Sequence, residues 1–139
     1  MRHLIPLLFL ASPAHAWEFT ATPICTINHS EASGSVELTY DHTTGLYAIA
    51  VTNPNGWPVA PIFSIRFDGP RAGTISTNRH QTDGATLTVT DAGFGNVLDG
   101  LEFNTEATAF TDTQMVTMSL QGAADPVQKF RACTTIPVV

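Results

Sequence analysis

Apolar and polar residues alternate along most of this chain, and the alternation predicts strands. Val36, Leu38 and Tyr40 alternate with Glu37 and Thr39, a period of two with one wet face. Asp41-His42-Thr43-Thr44-Gly45 then reads as a hairpin loop, with Gly45 free to take positive φ. From Leu46 to Val51 both faces are apolar: Tyr47, Ile49 and Val51 on one, Leu46, Ala48 and Ala50 on the other. That pattern predicts a strand covered on both sides. Phe63, Ile65 and Phe67 form a further alternating strand, ended by Asp68-Gly69-Pro70, and Gly73 to Asn78 is a weaker one. Leu87 and Val89 alternate with threonine, Ala107 and Ala109 mark a small-residue strand, and Val116, Met118 and Leu120 alternate with Thr117 and Ser119. Asn53 to Pro58 and Asp83-Gly84 are turn sequences.

Two segments depart from the β pattern. Gly93 to Phe103 mixes glycine with large apolar residues and reads as one helical turn or a packed loop. Asp125-Pro126 has the form of an N-cap followed by proline at the first helical position, predicting a short helix to about Cys133 with Val127 and Phe130 turned inward. Short strands at this spacing predict an all-β fold. It is an antiparallel β-sandwich or flattened barrel, with a short C-terminal helix tied by Cys133 to a first strand that carries Cys25.

The N-terminal segment changes the functional picture. Arg2, the apolar run from Leu4 to Ala11, and the small-x-small site Ala14-His15-Ala16 form a secretory signal peptide over residues 1–16. The expected mature chain, 17–139, is one domain located in the periplasm or secreted, away from ATP-driven chemistry, nucleotide metabolism and genomic DNA. No other apolar stretch approaches the ~20 residues of a membrane-spanning helix. The net charge is −6, and Lys129 is the only lysine. An acidic surface without a basic run repels phosphate backbones and anionic headgroups, so nucleic acid is not an expected partner. In an exported chain Cys25 and Cys133 read as a disulfide.

Candidate chemistry is sparse. His29, His42 and His80 each stand alone in a polar, turn-like stretch, without metal-ligand spacing. Met115 and Met118 lie three apart, which on a strand sends them to opposite faces, Met118 to the core. Asp68, Asp83, Asp91 and Asp99 form no calcium-loop spacing and read as turn residues. No G-x-S-x-G elbow accompanies Ser64, Ser76 or Ser119, and Glu102 and Glu106 carry no distinctive signature. There is no phosphate-binding Walker sequence, and the glycines after Gly93 do not complete a dinucleotide fingerprint. No catalytic, cofactor-binding or metal residue is therefore assigned, and no cofactor is expected. What remains is recognition: Trp57, Phe94, Leu98 and Phe103 form a candidate binding surface, against the plainer alternative that they close the ends of the sandwich.

The start Trp17-Glu18-Phe19, then Cys25, Gly93 to Phe103, Gly122 to Pro126 and Phe130 to Cys133 resembles small exported proteins of the alphaproteobacterial type. No activity or catalytic residue carries over from that group. Some of its members bear the label of a DNA-repair excinuclease, which this acidic, exported, Walker-less chain does not support. The ending Ser119-Leu120-Gln121-Gly122, with Ala124, Phe130 and Cys133, is similar to the invasion-associated locus B family and implies a β-rich periplasmic domain. The expected function is that of a non-enzymatic periplasmic binding or envelope-accessory protein, partnered by an envelope protein or a ligand. The alternatives are a protein inhibitor of a secreted hydrolase, and a small hydrolase or metal carrier with dispersed site residues.

Overall fold

The computed structural model describes residues 16–135. All of the expected signal peptide but Ala16 lies outside them. The described chain forms ten strands and two helices: β1 Glu18–Thr20, β2 Cys25–Glu31, β3 Gly34–Asp41, β4 Leu46–Thr52, β5 Phe63–Asp68, β6 Gly73–Thr77, β7 Gln81–Asp83, β8 Thr86–Asp91, α1 Gly95–Phe103, β9 Glu106–Phe110, β10 Met115–Ser119 and α2 Ala124–Thr134. Two antiparallel sheets result, ordered β1-β2-β3-β4-β8-β7 and β10-β9-β5-β6. They do not close on each other, so of the two expected architectures the sandwich is the one formed.

The hairpins follow from local chemistry. Gly45 takes φ 68° and returns its N–H to the Asp41 carbonyl at 2.8 Å, while Asp41 Oδ1 accepts the Thr43 N–H at 2.8 Å. This turn sets the β3–β4 register, Leu38 opposite Ile49 and Val36 opposite Val51. Alternation then sends Ile27, Val36, Leu38, Ile49, Val51 and Leu87 inward from one sheet to meet Phe63, Ile65, Phe67, Val116 and Met118 from the other. Met118 is buried and Met115 is 66% exposed, as their spacing predicts.

Several expectations are corrected. Cys25 opens the second strand, because the three residues Glu18–Thr20 pair ahead of it against Thr26–Asn28. β4 is buried on one face only. Its outer face, carrying Leu46, Ala48 and Ala50, is partly covered at most, because none of the described elements packs on that side of the sheet. The segment after Gly93 forms a nine-residue helix whose stripe of Val97, Leu98 and Leu101 is buried. α2 begins one residue earlier than its expected cap: Ala123 occupies the N-cap position with no side-chain cap bond. Asp125 lies in the first turn, paired with Lys129 at 3.1 Å. Pro126 is still tolerated, since first-turn N–H groups have no intrahelical acceptor.

The cysteines are bonded, with Cα atoms 5.9 Å apart, fastening the end of α2 to the start of β2. Val127 and Phe130 pack beneath α2, fully buried. Arg131 joins the two helices, reaching Asp99 at 2.7 Å and Glu102 at 2.9 Å.

The two long sides of the sandwich differ. On the β10 side, sheet-one side chains bond the outer strand: Trp17 Nε1 donates to the Ser119 carbonyl at 2.9 Å, the Ser119 N–H donates to Glu31 at 2.8 Å, and Ser33 donates to the Thr117 carbonyl at 2.6 Å. On the opposite side β6 is an edge strand, and α1 crosses the gap between the sheets. Gly100 makes that crossing close, since a Cβ there would overlap the Phe67 ring.

Candidate functional site

Between β6, β8 and the beginning of α1 the sandwich stays open as a cleft of about 460 Å³. That lies within the range of ~300–1,000 Å³ common for small-molecule sites. Its walls are apolar: Ile49 from β4, Phe63 and Ile65 from β5, Ile75 from β6, Val89 from β8, and Phe94 with Val97 from the α1 entrance. The cause is topological. Phe63 and Ile65 project from a strand next to the sheet edge, and β6 sets only Gly73, Ile75 and Thr77 beside the inward row of β5. This corner therefore receives fewer large side chains than the β10 side. Deeper in, the core leaves only about 30 Å³, so the cleft ends there.

The mouth is polar, with Ser76, Thr77, Arg79, Asp91 and Asn96 around it. Arg79 Nη2 stands 3.4 Å from Asp91 Oδ2, a long contact for a charge-assisted pair, and its side chain is 74% exposed. Asp91 Oδ1 accepts the Ala92 N–H at 2.7 Å. The far end of the gap is braced by the buried amide of Asn104. It donates to the Gly100 carbonyl at 3.0 Å and the Arg71 carbonyl at 2.9 Å, and accepts the Arg71 N–H at 2.9 Å. One side chain thus joins the end of α1 to the turn that starts β6.

The residues singled out from sequence do not share one exposed surface. Trp57 is buried, donating Nε1–H to the Val51 carbonyl at 3.0 Å and standing edge-on to Phe63. Leu98 is buried in the α1 stripe, and Phe94 is buried where it walls the cleft. Phe103 alone reaches the surface, with Arg71 4.1 Å over its ring. Large apolar area on glycine- and proline-flanked segments went to the core because those segments close the sandwich ends.

The residue presented near Trp57 is Val59, 92% exposed between Pro58 and Pro61. Trp57 and Ala60, both buried, hold the loop from either side of it, and His80 Nε2 donates to the Ala60 carbonyl at 2.8 Å. The paired prolines were the available sequence signal. Arg79 and Asp91 flank the β7–β8 hairpin, whose register, Gln81 opposite Thr88, brings them together at its open end; the three residues of β7 carry too little period for the sequence to show that pairing.

His29 is not in a turn. It takes the core-facing position after Cys25 and Ile27 in β2, where its ring stacks on Trp17 at 4.3 Å. Its Nε2 lies 2.7 Å from Glu31, the carboxylate accepting. Among the described residues no serine or cysteine stands at hydrogen-bond distance from a histidine, and no three His, Cys, Asp or Glu residues gather as a metal site. No helix among them is long and apolar enough to cross a membrane. None of the protein-family models, curated proteins or solved structures compared with the chain matches it, so the cleft and the loop carry the functional reading by themselves.

Proposed function

We propose that this is a non-enzymatic binding protein of the bacterial periplasm or secreted space, with the cleft between β6, β8 and α1 as its ligand seat. The observation that carries the reading is the cleft itself: apolar walls, a polar rim, and no nucleophile–base pair beside it. Core side chains normally fill such space to crystalline density. An apolar hollow open to water offers a ligand the free energy that packing would otherwise supply, roughly 25 cal/mol per Å² of apolar surface removed from water.

The test uses the neutral dye Nile red and the variant Ile75→Trp, which fills the cleft from the β6 edge. The wild-type protein is expected to bind one equivalent with a blue-shifted emission, and Ile75→Trp to weaken binding at least ten-fold while keeping the wild-type circular dichroism spectrum. Dye binding that is absent in the wild type, or equal in both proteins, overturns the cleft as a ligand seat.

The Pro58–Ile62 loop favours a second reading, a protein inhibitor of a secreted hydrolase. Its exposed Val59 sits between two prolines and two buried anchors, and such preorganisation lowers the entropy cost of docking. Inhibition constants against a panel of secreted endopeptidases, measured for wild type and Val59→Asp, test it. No inhibition by the wild type, or equal inhibition by both, removes this reading.

A further inference from the structure

Resting on the cleft as a ligand seat, we propose that its ligand is an amphipathic carboxylate, with an aliphatic or aromatic body between the sheets and an anionic head at Arg79. The Ile49, Phe63, Ile65, Ile75, Val89 and Val97 side chains that wall the cleft offer neither charge nor a hydrogen bond, so the part of the ligand against them is apolar. The sign of the head follows from the rim. Arg79 is the one cation there, and its ion pair with Asp91 is the longest among the described residues. Arg131 holds two carboxylates at 2.7 and 2.9 Å, Lys129 holds Asp125 at 3.1 Å, Arg66 holds Asp68 at 3.3 Å, and Arg71 lies over Phe103. Arg79 reaches Asp91 only at 3.4 Å on an exposed stem. A guanidinium there can turn to a carboxylate and grip it through two N–H donors.

One oxygen of the opposing carboxylate is engaged elsewhere. Asp91 gives Oδ1 to the Ala92 N–H, so Oδ2 is its only link to Arg79. The entrance of α1 adds donors without adding negative charge: no side chain caps it, and its first turn holds no acidic residue. A cationic head would meet Arg79, and a neutral one would leave the guanidinium with Asp91 alone. In a chain of net charge −6 the surrounding field disfavours free anions, so a carboxylate needs its apolar body to be retained.

The experiment is displacement of Nile red by decanoate, decanol and decyltrimethylammonium, each below its aggregation threshold. Decanoate is expected to compete about five-fold more strongly than decanol, the upper range for an ion pair to an exposed guanidinium, and the ammonium compound less strongly than either. Going from octanoate to decanoate should tighten binding by about four-fold per methylene, the equivalent of ~0.8 kcal/mol each. Arg79→Gln should erase the preference for decanoate over decanol, Arg79→Lys should restore part of it, and Asp91→Asn should raise it. If Nile red binds and decanoate and decanol compete equally, the carboxylate assignment is wrong while the ligand seat stands. A preference that survives Arg79→Gln also overturns it. If no dye binds, or Ile75→Trp leaves dye binding unchanged, both fall together.

Discussion

Breaking the Cys25–Cys133 bond is the perturbation with the largest effect calculable from this fold. The bond joins residues 108 apart, so it closes nearly the whole described chain into one loop. The chain-entropy relation for a loop of that length gives about 4.8 kcal/mol of stabilisation through the unfolded state at 25 °C. Small domains have total stabilities of ~5–15 kcal/mol, so the bond is a third or more of what holds such a domain together. For a domain of this size a kcal/mol is worth about 4 °C in Tm, which puts the expected fall at ~15–20 °C. Both cysteines are buried, so Cys25→Ala/Cys133→Ala removes the link while keeping apolar side chains in place. The assay is urea unfolding of the 17–139 chain and of its double variant, followed by circular dichroism. The midpoint should drop and the m-value should rise, because the opened unfolded chain exposes more surface. Mass spectrometry gives the starting point, since the bonded form is two hydrogens lighter than the reduced one. A loss below about 1 kcal/mol with an unchanged m-value would refute the entropic argument; the opened denatured chain would then be as compact as the bonded one.

Other substitutions test how α1 is held. Gly100→Ala forces a methyl group into the Phe67 ring and should cost about 1–3 kcal/mol in thermal or urea melts. Gly95→Ala, in open space on the same helix, should be neutral or stabilising by up to ~1 kcal/mol. Asn104→Ala strands the buried partners at Gly100 and Arg71 and should cost roughly 2–3 kcal/mol, with faster amide exchange at the α1 end and the β5–β6 turn. Arg131→Met breaks two ion pairs, yet its side chain is about a third exposed, so solvent screening limits the loss to about 1 kcal/mol, and added salt should shrink the difference further.

Alternation made most of the fold legible in the sequence. The β3 and β4 hairpin, the Phe63–Phe67 strand, the opposite fates of Met115 and Met118, the inward stripe of α2 and the cysteine pair all follow from period, turn chemistry and compartment. Two short strands, β1 and β7, escaped that reading, because three residues carry too little period to register. His29 shows a different failure. Polarity placed it in a turn, whereas its position two residues after Ile27 places it on the inner face, where Trp17 stacks on the ring and Glu31 accepts from Nε2. Trp57, Phe94 and Leu98 are buried, the plainer of the two readings that the sequence left open for them.

Backbone pleat, turn geometry and thiol chemistry act locally or through composition, so the strands, the sandwich class and the pairing of the cysteines are written in the residues themselves. Where the sandwich stays open is a property of the packed sheets alone. The cleft exists because β6 and β8 lie across from each other at one side while Trp17, Glu31 and Ser33 bond the outer strand on the other. The approach of Arg79 to Asp91 at its mouth is more local, since both flank the β7–β8 hairpin, whose pairing of Gln81 with Thr88 brings them together. Strand order is set by the summed burial of the whole chain, and no short window of residues contains that sum.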